Sequence, residues 1–243
     1  QIDRLLAVSA ATRRFHVEQG LDAGRCDVLH NGVDLDLFAP QPPSGWLRRE
    51  LGLPDDALLI GTVGQFVLRK GHDVLVAAAR LLAAAWPEAH YVFVGDCPSQ
   101  KAESREHYRA LQEAFTRPPL IGRGHFIGER TDVARLLPEL DILAHPARQE
   151  PFGRVLLEAA ACGCAVVATA VGGTPEIFPD DRCALLVPSD DPAAMAAALE
   201  QLLAHPEQRA ALGRAARQRA EQALNATQAG EALRAHYDRL TQG

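Results

Sequence analysis

"DILAHPARQEPFGRVLLEAAACGCAVVAT", residues 141–169, decides how this chain folds. "DILAHP" (141–146) reads as a short strand. "GRVLLEAAACG" reads as a helix stopped at Gly163, because glycine tolerates the left-handed backbone that ends a helix. "AVVAT" (165–169) reads as the next strand. Short apolar strands joined by helices predict a parallel sheet covered on both faces.

The same alternation runs outward in both directions. Upstream, "ALLIGTVGQ" (57–65), "HYVFVGD" (90–96) and "HFIG" (125–128) read as strands. Helices are predicted over 71–86, with Asp73 in the first turn, over 102–115, and over "TDVARLLPEL", capped by Thr131 or Asp132. Downstream, "ALLVP" (184–188) is a strand, and the chain is helical from Asp191, broken near Pro206 and Asn225. Before all of these, "RLLAVS" (4–9) reads as a strand with a helix starting near Ser9. "CDVLHNGVD" (26–34) reads as a strand ending in an Asn-Gly turn. "FAPQPPSG" (38–45) is a linker, with Ser44 as cap of the short helix "GWLRRELG". The predicted fold is α/β with a doubly wound parallel sheet. Such sheets bind ligands beyond the carboxyl ends of their strands, where the loops "GQFVLRKG", "GDCP", "GER", "HPARQEPFG" and "AVGGTPE" all fall.

Within 155–167 every residue is apolar or small except Glu158. An isolated carboxylate is costly to bury unless a partner compensates. Glu158 lies in the second turn of its predicted helix and Glu150 just before it, so two carboxylates bracket one positively polarised helix start. Taken alone, Glu150 reads first as an ordinary cap, and Lys70 has the alternative of a solvated lysine at a helix start where the dipole disfavours it.

The 243 residues carry a net charge of −6 and are 47% hydrophobic. That balance suits an ordinary globular chain with a real core and argues against a nucleic-acid partner. No apolar run approaches the roughly 20 residues of a membrane helix. "QIDRLLAVSAATRR" is not a signal peptide and begins without Met, so the chain is read as a piece of a longer protein. The five cysteines (Cys26, Cys97, Cys162, Cys164, Cys183) are odd in number and show no CxxC pair. Cys162 and Cys164, flanking Gly163 in an apolar setting, are read as small buried thiols, which suits a reducing compartment and hence a cytoplasmic setting. Asp55-Asp56, Asp180-Asp181 and Asp190-Asp191 sit beside prolines in turns and are read as turn and cap residues, with no metal. "GTVGQF" lacks the GxGxxG spacing of a dinucleotide site.

"EPFGRVLLEAAACGCAVVATAVGGTPEI" resembles the nucleotide-sugar-binding half of the family-4 retaining glycosyltransferases of GT-B fold, whose signature of Glu, seven residues, Glu fits Glu150 and Glu158. "HNGVDLDLFAP", "GTVGQFVLRKGHDVLVAAARLL", "YVFVGD", "HFIGERTDVARLLPELDILAHPA" and "LLVPSDDPAAMAAALEQLL" extend the likeness, in order, over nearly the whole chain. The resemblance implies a Rossmann-like domain over 39–225, with 1–38 the remnant of an N-terminal domain and its connection, and 226–243 an amphipathic helix. The apolar stripe of that helix is Ala226, Ala229, Leu233, Tyr237 and Leu240. The N-terminal domain itself is read as missing.

Further implications are residue roles. Glu158 would accept hydrogen bonds from ribose hydroxyls, and Glu150 would bind hydroxyls of the donor sugar. Backbone N–H groups of Phe152, Gly153, Arg154 and Val155 would meet the sugar or its diphosphate. Lys70 would neutralise the diphosphate leaving group and, with Glu150, be catalytic. Gly153 would let the backbone approach closely, Gly64 would bind substrate, the "GER" loop would hold the base edge mostly through backbone groups with Arg130 the candidate, and His145 would line the donor pocket, although a structural histidine fits equally. Thr174 would approach the phosphates, while Glu176 is read as a cap of the following turn and not as a catalyst. Where the family commonly has Arg after Gly64, this chain has Gln65: either Arg69 substitutes, or the phosphate contact is weaker, or this subgroup differs.

The expected function is transfer of a sugar, of hexosyltransferase type, from a nucleotide-diphosphate donor with retention and without a cofactor. The acceptor would be a glycan or lipid-linked sugar bound mainly by the missing domain. The isolated chain would bind donor and transfer poorly, and a setting at the inner face of the membrane through the missing half stays open. The alternatives are a non-catalytic nucleotide-binding or assembly module, and an epimerase or phosphorylase of the same fold.

Overall fold

The computed structural model describes residues 4–97, 99 and 101–241, the side chains of Leu240 and Thr241 excepted. Pro98 of the "GDCP" loop and the Leu240 end of the apolar stripe therefore lie outside the described residues. The elements are β1 (Leu5–Ala7), α1 (Ala10–Glu18), β2 (Cys26–Val28), α2 (Trp46–Glu50), β3 (Leu58–Val63), α3 (His72–Leu82), β4 (Ala89–Val94), α4 (Ala102–Ala114) and β5 (Gly124–Phe126). They continue with α5 (Val133–Leu136), β6 (Ile142–His145), α6 (Arg154–Cys162), β7 (Val166–Thr169), α7 (Thr174–Ile177), β8 (Leu185–Val187), α8 (Pro192–Ala204), α9 (Pro206–Ala223) and α10 (Ala226–Thr241).

The main sheet has six parallel strands in the order β5-β4-β3-β6-β7-β8. Counted from β3 this is 3-2-1-4-5-6, the doubly wound order, and its direction reverses between β3 and β6. The expected Rossmann-like fold is therefore present. β1 and β2 form a separate parallel pair.

Strand periodicity builds two cores. Leu59, Val92, Leu143 and Val166 point into one with Leu156, Leu157 and Ala216 of α6 and α9. Their neighbours Ile60, Tyr91, Phe93, Ile142 and Val167 point into the other with Leu75, Leu82, Leu199 and Leu202 of α3 and α8. Each fully buried aliphatic side chain contributes about 2 kcal/mol. α6 stops where glycine allows: Gly163 is left-handed at φ 71, its N–H reaches the Ala160 carbonyl, and the Cys164 N–H reaches that of Ala159.

Three cap readings are corrected. Gly45 occupies the N-cap of α2 without a side-chain bond. Ser44 instead gives its N–H and hydroxyl to Glu139 Oε1, at 2.6 and 2.8 Å. Thr131 and Asp132 make no cap bond on α5. The Asp132 carboxylate is taken by the Arg130 guanidinium instead. Glu176 is treated with the site. Ser9 and Asp191 do cap α1 and α8, accepting from the N–H groups of Thr12 and Ala194.

α10 does not cover the main sheet. It runs past the β1–β2 pair, where Arg4, Leu6, Asp27, His236 and Tyr237 line a cavity of about 220 Å³. Its apolar stripe is only partly covered: Ala229 and Leu233 are half-buried, while Ala226 is exposed and Tyr237 is 61% exposed. No described helix is long and apolar enough to cross a membrane. Cys26, Cys162, Cys164 and Cys183 are buried thiols, and burial pushes Cys162 up to about 12.

Candidate functional site at the carboxyl ends of the strands

The loops after β3 and β6, on either side of the sheet's reversal point, carry the charged residues singled out in the sequence. Lys70 ends a single 3₁₀ turn (Leu68–Lys70) after β3. Glu150 follows β6 and precedes the α6 N-terminus. The Lys70 ammonium lies 2.6 Å from Glu150 Oε2, with Lys70 15% and Glu150 7% exposed at the side chain. His145, at the end of β6, brings Nε2 to 2.9 Å from the same oxygen and is buried. Lys70 is thus not a solvated surface lysine, and Glu150 is not a helix cap, since α6 begins at Gly153 without any side-chain cap.

Burial alone would push the Glu150 carboxyl up. The His145 hydrogen bond and the Lys70 charge outweigh it and hold the group at about 2, so Glu150 is ionised at neutral pH. Burial lowers His145 in spite of the hydrogen bond to Glu150, which keeps the ring neutral. Glu150 Oε1 makes no hydrogen bond among the described residues, leaving one acceptor for an incoming hydroxyl.

Glu158 projects from the second turn of α6. Its side chain is 16% exposed, and its one ion pair among the described residues is a 3.7 Å contact to Arg154, itself 84% exposed. Burial raises the Glu158 carboxyl, which Arg154 only partly offsets. The structure therefore places a sheltered and poorly compensated carboxylate where the sequence anticipated one.

Two glycines seat these loops. A Cβ at Gly172 (φ 55) would lie 1.8 Å from the Glu150 carbonyl oxygen, and one at Gly71 (φ 66) 2.0 Å from that of Pro146. The glycines after β7 thus pack the Glu150 loop. Thr174 is buried with Oγ1 unpartnered among the described residues. Phe152 is buried and stacked on His30 at 4.8 Å, and Val155 is buried too, which leaves only backbone from these residues for a ligand. The N–H groups of Arg154 and Val155 open α6 and have no intrahelical acceptor.

Two cavities flank this centre. One, of about 270 Å³, lies over the ends of β3 and β4 between Gly64, Gln65, Gly95, Asp96, Glu129 and Arg130. Gln65 and Arg69 are exposed. Arg130 is engaged by Asp132 and Glu50 and faces the Trp46 ring at 5.6 Å. The other cavity, of about 530 Å³, is walled by Glu150, Pro151 and Gly172 on one side and by Ala11, Thr12 and Phe15 of α1 on the other.

That second wall depends on Glu176. Its carboxylate accepts the N–H groups of Ala10 and Ala11 at 2.8 and 3.1 Å, and pairs with His30 Nε2 at 2.9 Å. Glu176 therefore caps α1, not the following turn. Neither this tie nor the α1 wall was legible beforehand, because the tie joins His30 to Glu176 across 146 positions and the wall joins Thr12 to Pro151 across 139. An apolar cleft beside a preorganised cation–carboxylate pair and an uncapped helix N-terminus suits an anionic, hydroxyl-rich ligand.

Comparison with known proteins agrees with that chemistry. A family model described as glycosyl transferases group 1 matches residues 46–219. The D-inositol 3-phosphate glycosyltransferase of Xylanimonas cellulosilytica is 38% identical over 203 residues, covering 82% of this chain and 48% of the relative. Among solved structures, Anabaena Alr3699/HepE in complex with UDP and glucose aligns at a TM-score of 0.89 and 26% identity, covering 97% of this chain and 63% of that one. The C-terminal domain of a glycosyl transferase group 1 family protein (LpcC) from Francisella tularensis aligns at 0.71 and 25%, covering 80% and 99%. The chain spans about half the length of the curated relatives it matches.

Proposed function

Because this chain belongs to the glycosyl transferases group 1 family, we propose that it is the donor-binding half of a glycosyltransferase that uses a nucleotide-diphosphate sugar. The observation that carries the reading is the Lys70–Glu150 pair at the sheet's reversal point, with the undercompensated Glu158 on the adjoining helix. A ribose would supply the hydrogen-bond donors that Glu158 lacks. The diphosphate would lie near Lys70, Gln65, Arg69 and the opening N–H groups of α6. Glu150, kept ionised, would offer its free oxygen to a sugar hydroxyl. The UDP and glucose of the Anabaena neighbour support a donor of this kind.

As the bond from sugar C1 to the diphosphate oxygen breaks, its electrons leave with the diphosphate, and the Lys70 ammonium offsets that charge without reorganisation. The acceptor hydroxyl oxygen takes its place on C1 with retention, and the hydroxyl proton passes to the departing diphosphate oxygen. No resident metal or cofactor enters this reading. An N-terminal domain would hold most of the acceptor, a glycan or lipid-linked sugar, or a phosphorylated polyol as the relative's name suggests. Residues 1–38 would be its last segment, 39–225 the donor domain and 226–243 a helix packing back on it. The cytoplasm, or the inner membrane face reached through that domain, is the proposed setting.

Calorimetric titration with UDP-glucose and GDP-mannose tests the donor assignment, with Glu158→Ala expected to abolish binding. Transfer should appear only when the chain is joined to its N-terminal domain. Efficient turnover by residues 1–243 alone would overturn the division of labour. Donor binding with no turnover in the joined protein would favour a non-catalytic module.

A further inference from the structure

Resting on the donor reading above, we infer that Arg148 is a positioning residue that locks Lys70 and Glu150 into contact by clamping the three loops around them. Its guanidinium makes a bidentate bond to Asp73 at the start of α3, at 2.8 and 2.7 Å. It also donates to the Leu68 carbonyl at 2.8 Å, two residues before Lys70. Its Nε reaches Asp190 after β8, at 2.6 Å. The backbone adds to this: the N–H groups of Arg148 and Gln149 both donate to the Arg69 carbonyl. One residue thus ties the Lys70 loop, the Glu150 loop and the loop after β8 together.

Asp190 is the one non-glycine among the described residues with positive φ, at 57. A left-handed aspartate costs free energy and persists where its surroundings hold it, and here it is held by Arg148. Half-exposed ion pairs of this kind add little to folding stability. Their value is geometric: the planar guanidinium satisfies three directions at once, which a lysine cannot do. The clamp fixes the backbone on both sides of the Lys70–Glu150 contact, so a diphosphate meets a cation already in place.

The test uses the 243-residue chain with UDP, and GDP in a parallel arm, titrated against wild type, Arg148→Ala, Arg148→Lys, Lys70→Ala and the Arg148→Ala/Lys70→Ala double variant. Arg148→Ala is expected to weaken binding about tenfold, with Arg148→Lys restoring little of it. The double variant should bind within about twofold of Lys70→Ala, because a residue acting through Lys70 has nothing to act on once that side chain is gone. Multiplicative losses, or unchanged affinity in Arg148→Ala, would overturn the inference. If wild type binds and Glu158→Ala does not, but Arg148→Ala binds normally, the donor reading stands and the clamp alone fails. If wild type binds neither nucleotide, both fall. Should Arg148→Ala not fold, Asp190→Asn combined with Lys70→Ala carries the same coupling test.

Discussion

Lys70 and Glu150 lie 80 residues apart in the chain, yet their side chains meet at 2.6 Å. The contact crosses the point where the sheet reverses direction, so each partner is supplied by a different loop. Glu150 is held at about 2, below the ordinary carboxyl value of 4.5. The folded state therefore binds fewer protons than the unfolded state between those values. The stability this provides is complete above about pH 4.5 and is lost as pH falls towards 2. Glu150→Gln should destabilise the chain by about 3 kcal/mol at pH 7. Urea denaturation across pH should show the gap from wild type closing below about pH 4. A constant gap down to pH 2 would count against the ion pair.

Glu158 has the opposite sign. Burial raises its carboxyl, so ionisation opposes folding, fully above the raised value and not at all when the group is protonated. Glu158→Gln should raise the urea midpoint of the ligand-free chain at neutral pH, with the gain vanishing in acid. The same substitution should weaken UDP binding by about tenfold or more. Higher stability together with lower affinity is the mark of a group retained for its ligand.

Glu176 can be tested through the helix it caps. Glu176→Ala removes the acceptor of the Ala10 and Ala11 N–H groups and should cost about 1 kcal/mol. Hydrogen exchange should accelerate at Ala10 and Ala11 and leave the β3 and β6 amides unchanged. Uniform acceleration would mean that Glu176 serves the whole domain and not α1.

Gln65 stands in the exposed loop beside Lys70 without a charge of its own. Gln65→Arg should tighten UDP binding about fivefold at low salt, through a charge-assisted bond to the diphosphate. The gain should shrink as salt rises. No change in affinity would mean that Arg69 already serves this position.

Much of the fold was legible because it is a matter of short-range pattern. Alternating apolar residues such as Leu59 and Ile60 feed two cores, and Gly163 ends α6 wherever α6 happens to lie. Glu158 was legible as an anomaly, a carboxylate among residues that want burial. The caps were not. Ser44, Asp132 and Glu176 were each assigned to the nearest helix start, since local donors are all that a linear reading can see. In the folded chain the topology brings Glu139 to Ser44 and α1 to Glu176, while Asp132 is taken by Arg130 two residues away.

The residues by themselves determined the strand–helix alternation and the presence of a carboxylate that burial alone cannot justify, because periodicity and helix endings act over a few neighbouring residues. Only the tertiary structure decided that Lys70 and Glu150 share one contact, that Arg148 fastens their loops, and that Glu176 carries the wall of the cleft. Those are electrostatic contacts across chain separations of 75 residues or more. Partners at that distance in sequence are chosen by the packing of the sheet and its helices.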